Sequence, residues 1–274
     1  MKDRRLDPND FDLSEITFLE HESLELDNID PSEITFLEEL GESDESDVFL
    51  VSVRGREYAM KVHMDLHDIQ NNLSGYIREN TAYRRLHSYG FCDRGYIPRF
   101  YGSIEDIDTA VCGLWLLNFA AAEVRPCAIF LEYLPAMGKL TQTFEWNYTR
   151  ERWAKVHEII TLMHAARVCY GRTKPKTMLV PGEGEEAERI LCYDLDVSLT
   201  YPNNYPLSDE EKQTRDRESC YVNWRGYALT NFNGTSFSVQ SKTPGSPQAE
   251  IESGEWSGYW MEAEHVDLRP SFRA

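Results

Sequence analysis

The chain of 274 residues carries 47 acidic against 28 basic residues, a formal net charge of −19 and a pI near 4.8. An excess of that size repels phosphate backbones and anionic bilayers, so neither nucleic-acid binding nor membrane attachment is expected. With 41% hydrophobic and 12% aromatic residues there is material for a packed core, which argues against global disorder.

The acidic surplus is local, since 17 acidic and three basic residues precede residue 48 and the rest of the chain is close to balanced. The opening MKDRRLDPNDFD has no apolar signal core. Cys92, Cys112, Cys127, Cys169, Cys192 and Cys220 form no CxxC pair and no zinc-like cluster with His. The longest nearly apolar run, Val111 to Ala122, is 12 residues, whereas a spanning helix needs about 20. These features predict a reduced, intracellular and cytoplasmic chain with no structural metal and no membrane span.

In chain order, the first feature is a repeat: SEITFLE occurs at Ser14–Glu20 and again at Ser32–Glu38. Asp30-Pro31 interrupts any continuous helix between the copies, and the alternation of Ile, Phe and Leu with polar residues suits strands. The repeat reads either as a local duplication in an extension or as a mimic of the second copy that competes for or covers the same sheet edge. ITFLEEL, VFLVSV and REYAMKV then predict a three-stranded antiparallel meander, with an acidic turn GESDESD and a hairpin signal at Arg54-Gly55.

A helix fits Leu73 to His87 with Ile77, Ala82, Tyr83 and Leu86 on one stripe. Strands fit Pro98–Ile104, Gly113–Leu117 and Ala128–Tyr133, followed by a connector at Pro135–Gly138. Glu151 to Arg167 predicts a second helix, with Trp153, Val156, Ile160 and Met163/His164 at helical spacing. After a basic loop, TMLV and RILCYDLD predict two further strands. Beyond Glu218 the composition turns to Gly, Ser, Thr, Asn and Pro and predicts an irregular or disordered tail. His63, His67, His157 and His164 lack metal spacing. His164 reads as a packed or hydrogen-bonded residue, and Trp115, Trp146 and Trp153 as core or interface residues.

Taken in order, five segments carry a resemblance. YAMK at Tyr58–Lys61, Glu79 within ENTAYRRL, FLEYLP at Phe130–Pro135, LMHAARVCYGRTKPKTMLV and YDLD at Tyr193–Asp196 resemble the lysine strand, helix glutamate, hinge, catalytic-loop region and metal aspartate of the protein-kinase-like superfamily. The likeness covers roughly residues 32–218 and is strongest to small fungal kinase-like proteins with a reduced second lobe. It implies an α+β, two-lobed fold with an antiparallel N-lobe sheet and a mostly helical C-lobe. The corresponding division is an acidic extension over 1–31, an N-lobe and hinge over 32–134, a reduced C-lobe over 135–218 and a tail over 219–274.

The same resemblance implies a damaged site. The stretch from Gly41 to Val48 keeps one glycine but has Ser43 and Ser46 at the next two, and it sets Glu42, Asp44, Glu45 and Asp47 where a triphosphate would lie. Arg172 stands at the catalytic aspartate and cannot act as a base, while Thr177 replaces the magnesium-binding asparagine. Lys174 matches the loop lysine. Lys61 and Glu79 remain, either as a phosphate-orienting pair or as a structural ion pair, and Asp194 remains with Asp196 behind it.

An Arg172–Asp194 pair in the space of Mg²⁺ is one expectation, and Arg172 turned to solvent or to a carbonyl is the other. The reading is a catalytically impaired kinase-like binding or regulatory module with no catalytic residue and no cofactor, and with a protein partner. Should nucleotide bind, Lys61, Glu79 and Asp194 would hold ATP and Asp194 the Mg²⁺. The alternatives are an unusual, weakly active ATP-dependent phosphotransferase, a decayed or mis-spliced gene product, and an accessory protein of a fungal pathway.

Overall fold

The computed structural model describes residues 23–43, 46–63, 74–120, 124–135, 150–171, 177–180 and 189–231. The first SEITFLE copy, Asp44, Glu45, His67, Trp146, Arg172, Lys174 and everything beyond residue 231 lie outside them. The described architecture is α+β. Among the described residues, no helix is long and apolar enough to cross a membrane.

The predicted meander forms from β1 (Ile34–Glu42), β2 (Ser46–Val53) and β3 (Arg56–His63). Arg54 and Gly55 both take positive φ, 51° and 81°, the two-residue turn whose twist matches its flanking strands. Two later strands, β4 (Phe100–Ile104) and β5 (Cys127–Glu132), complete a five-stranded antiparallel sheet in the order β1-β2-β3-β5-β4.

The pairing Val48↔Lys61 and Phe49↔Met60 fixes the pleat. Ser46, Val48, Lys61 and His63 share one face, and Asp47, Phe49, Val51, Met60 and Val62 share the other. The second face is a buried apolar layer that includes Phe130, Leu26 and Ile29.

Leu26 and Ile29 belong to a strap, residues 24–30, laid on the sheet by backbone bonds from Leu26 N to the Tyr101 carbonyl and from Asn28 N to the Ser103 carbonyl, each 2.9 Å. Gly102, with φ +137°, allows this approach, because a Cβ there would sit 2.6 Å from the Asp27 nitrogen. Asp27 accepts from Arg84 at 2.6 and 3.1 Å and from the Ser103 amide at 2.9 Å.

The strand expected at Gly113–Leu117 is instead a 3-10 helix over Gly113–Phe119. Gly113 enters it with φ +63°, and Leu116 and Phe119, three apart, face the core while Leu114 and Leu117 stay exposed. That is a three-residue period rather than the two of a strand. Trp115, expected in the core or at an interface, is 41% exposed and stacks on Phe36.

Helix α1 (Gly75–Ser88) starts at Ser74, whose side chain accepts from the Ile77 amide. Ala82, Tyr83 and Leu86 are buried as expected, but Ile77 is exposed, and Tyr76 and Glu79 take the buried stripe. Helix α2 (Arg150–Ala165) buries Trp153, Val156, Ile160, Met163 and His164, the predicted face.

The short strands β6 (Val168–Cys169), β7 (Thr177–Val180), β8 (Arg189–Cys192) and β9 (Leu199–Thr200) form two antiparallel pairs, β6 with β9 and β7 with β8. Helix α3 (Asp209–Asn231) runs through residue 218, where the irregular tail was expected to begin. Trp153 Nε1 donates to the Val222 carbonyl at 2.9 Å, so Val222, beyond residue 218, belongs to the core.

Candidate functional site

Lys61 leaves β3 on the face that looks toward α1, and three carboxylates meet its ammonium. Glu79 of α1 lies 2.8 Å away, Asp194 2.6 Å and Asp196 3.5 Å, all with side chains at most 13% exposed. His63, two residues along β3 and therefore on the same face, puts Nε2 3.1 Å from Glu79. The other Glu79 oxygen accepts from the Leu195 amide at 3.1 Å, tying α1 to the segment that follows β8.

Asp194 adopts φ +64°, a left-handed conformation that costs of order 1 kcal/mol for a non-glycine residue and that Asp tolerates better than most. The charges decide one another. Burial works against the Lys61 charge, but Glu79, Asp194 and Asp196 outweigh it and hold its pKa above the ordinary lysine value. Burial likewise raises Glu79, and Lys61 with His63 more than offsets this, so its carboxyl titrates below the usual range. Both groups are therefore ionised at neutral pH, and Lys61 is already neutralised several times over.

A second buried cluster lies behind the first. His164 Nε2 is 2.6 Å from Glu218 Oε2, and His164 Nδ1 is 3.2 Å from the Ser219 hydroxyl. Glu218 also accepts from the Tyr170 and Gly171 amides, each at 3.1 Å, so a helix carboxylate fixes the backbone just before residue 172. Gly171 is needed there, because its φ is +81° and a Cβ would lie 2.0 Å from the Val197 carbonyl oxygen. The Tyr170 hydroxyl donates to the Tyr193 carbonyl and joins this cluster to the Asp194 segment.

His164, Cys169 and Glu218 place potential ligand atoms within 4.8 Å of one another. Both Glu218 oxygens, however, already serve N–H donors, and burial pushes the Cys169 thiol far above its ordinary range, which disfavours the thiolate a metal requires.

The hairpin turn differs from expectation. Ser43 and Ser46 clasp each other: Ser43 N donates to the Ser46 carbonyl at 2.9 Å, the Ser43 hydroxyl to the same oxygen at 2.8 Å, and Ser46 N to Ser43 Oγ at 3.0 Å. Pairing continues outward from Glu42↔Asp47. These two carboxylates share a side of the ribbon, and it is the side away from Lys61, so the expectation that they face a phosphate site is corrected by the pleat. Asp47 is buried there, and burial, Glu42 and Glu39 raise its pKa despite a hydrogen bond with Asn118.

Lys61, Glu79 and Asp194 are thus brought together as the sequence suggested, with Asp196 added. Lys61 is an ion-pair partner of Asp194, while Arg172 lies outside the described residues and Thr177 opens β7. Sequence reasoning missed His63, Glu218 and the Asp27–Arg84 clamp. Glu218 had a signal: Thr214, Glu218 and Val222 recur at four-residue spacing, and all three are buried on α3. The sequence matches no family model and no curated protein.

Proposed function

We propose that this chain is a catalytically impaired protein-kinase-like protein that works as a binding or regulatory module. The observation that carries the reading is the meeting of Lys61, Glu79 and Asp194, from β3, α1 and the segment after β8, with Lys61 and Asp194 133 positions apart. The reading is supported by the five-stranded antiparallel sheet with α1 between β3 and β4, followed by α2, two strand pairs and α3; in a two-lobed kinase-like fold the stretch Leu131–Pro135, starting at the end of β5, would serve as the hinge.

Impairment rests on chemistry at three positions. Arg172, at the place of the catalytic aspartate, stays protonated and accepts no proton. Thr177 offers a hydroxyl where a magnesium site wants an amide oxygen. The serine clasp at 43–46 spends the amides of Ser43 and Ser46 within the turn. ATP and Mg²⁺, if they bound, would use Lys61 and Asp194, and Lys61 would first have to give up its hold on Asp194 or Asp196. Partners of such a module are proteins.

A second reading, a weakly active phosphotransferase with Asp196 as a displaced base, is favoured by the charged state of Lys61 and its contact with Glu79. Calorimetric titration with ATP, with and without Mg²⁺ and with Lys61→Ala as control, separates the two. The module reading predicts no heat of binding at millimolar nucleotide. Mg²⁺-dependent binding abolished by the substitution, accompanied by phosphoryl transfer, would overturn it.

A further inference from the structure

The front of the longest apolar run in the sequence turns outward. Seven large hydrophobic side chains are exposed among the described residues, and four of them, Val111, Leu114, Trp115 and Leu117, fall in this one stretch, with Leu114 85% and Leu117 60% exposed. Cys112, Leu116 and Phe119 of the same stretch are buried, so the 3-10 helix over Gly113–Phe119 is apolar on its inner and its outer side. Single exposed apolar side chains are ordinary, whereas a group of them beside polar residues marks an interaction surface.

This helix is anchored on the sheet face away from Lys61. Trp115 stacks on Phe36 at 5.7 Å and meets Phe49 edge-on at 6.2 Å, and the Asn118 side chain bonds Asp47. Register shifts at Leu37 and Leu40 each add one residue to β1, so Phe36, Glu39 and Glu42, three apart in sequence, stand opposite Val51, Phe49 and Asp47 on that same face. The helix therefore lies along the stretch of ribbon that carries Glu39 and Glu42. Among the described residues, Glu39, Glu42 and Asp47 have no basic partner, and β1, β2 and residues 105–120 contain no Lys or Arg. Asp47 is only 3% exposed, a buried carboxylate facing two like charges with no cation at hand.

We propose that Leu114, Trp115 and Leu117, with Glu39, Glu42 and Asp47 beside them, form a docking surface for a basic amphipathic segment of a partner protein, whose apolar side chains cover the helix and whose lysine or arginine lies against the carboxylates. Trp is a frequent anchor of such contacts, and a partner cation supplies the counter-charge that Asp47 lacks. Charge also argues against other occupants. A second copy docked through the same patch brings two sets of carboxylates together, and nucleic acid or an anionic bilayer is repelled. The surface is remote from the Lys61 cluster and does not depend on the kinase-like reading.

Fluorescence anisotropy on the full chain tests it, the probe being a labelled amphipathic peptide of Leu and Lys at helical spacing. Its counterparts carry Glu for Lys, or Ser for Leu. The Leu-Lys peptide is expected to bind, and to lose affinity about tenfold in Leu114→Ser/Leu117→Ser and, independently, in Glu39→Gln/Glu42→Gln, each shown by circular dichroism to keep its fold. Glu57→Gln/Asp216→Asn, which removes as much negative charge from other surfaces, should leave the affinity unchanged. Unaltered binding in either patch variant, an equal loss in the control variant, or equal binding of either counterpart peptide overturns the proposal. So does the absence of any binding, as a patch covered by the chain itself would give, or a self-association in sedimentation that Leu114→Ser/Leu117→Ser abolishes, which would assign the surface to a second copy.

Discussion

At the scale of single residues, Glu218 shows how a buried carboxylate can organise a site it never enters. Its two oxygens take the amides of Tyr170 and Gly171 and the ring of His164. Removing it leaves the buried Tyr170 N–H, the half-buried Gly171 N–H and an imidazole without their acceptor, each buried orphan costing about 1–3 kcal/mol. Glu218→Ala is expected to destabilise the protein by about 3 kcal/mol or more, whereas Glu218→Gln, which keeps one acceptor oxygen, loses less. Amide hydrogen exchange gives the sharper readout: Tyr170 and Gly171 should lose protection in the alanine variant well before α2 does.

The Lys61 cluster obeys the same rule with the opposite composition, one cation among three anions. The contribution of the depressed Glu79 is fully present above the unfolded carboxyl pKa, about 4.3, and is lost as pH falls through the lower folded value.

At the scale of elements, the β1–β2 hairpin holds a built-in electrostatic conflict. Asp47 is buried opposite Glu42 with Glu39 nearby, and like charges directly across an antiparallel pair repel. A carboxyl whose folded pKa is raised is penalised when ionised, so the cost is absent below the unfolded pKa, near 3.9, and reaches its full size above the raised folded value. Asp47→Asn, which keeps the shape and the possibility of bonding Asn118, should therefore stabilise the chain by about 0.5–1 kcal/mol at pH 7 and by almost nothing at pH 3.5. Thermal melts at the two pH values check the sign. An equal gain at both would place the effect in packing rather than charge.

Some elements were legible in the sequence because local and tertiary demands agree. The Arg54-Gly55 turn, the alternation in β2 and β3 and the Trp153–Met163 stripe of α2 each answer to one periodicity. The 3-10 helix over Gly113–Phe119 was misread because GLWLL is composed like a strand, and only the three-residue burial period of Leu116 and Phe119 in the folded chain decides otherwise. Helix α3 was hidden by an exposed, mostly polar surface. Its start was nonetheless written in Ser208 and Glu211, which cap reciprocally, Ser208 N to the Glu211 carboxylate at 2.6 Å and Glu211 N to the Ser208 hydroxyl at 3.2 Å.

Of the site, the triad could be picked out by residue type and order. The facing of Glu42 and Asp47 could not, because it depends on the register of β2 against β3 as well as on alternation.

At the scale of the whole molecule, α3 closes the larger core. Val222 belongs to the same buried cluster as residues of α1, α2 and β6, and its carbonyl holds the Trp153 indole. A chain stopped after residue 218 loses both and leaves a buried indole N–H unpaired, at a combined cost of about 3–5 kcal/mol, comparable with the whole stability of many domains. Such a chain is expected to aggregate or to melt without cooperativity. Calorimetry of that chain beside the full-length protein would register the loss of a single sharp transition.

The union of Lys61 with Asp194 also has a kinetic side, since 133 positions separate the two. During synthesis at about 5–20 residues per second, the ammonium must wait of order ten seconds for its second carboxylate to emerge. Glu79 and His63 arrive almost with it, so the newborn sheet and α1 can settle early around a provisional pair. The finished cluster is a late event, and a ribosome paused between the codons for β3 and β8 would hold the chain with its central charge still open to whatever anion comes first.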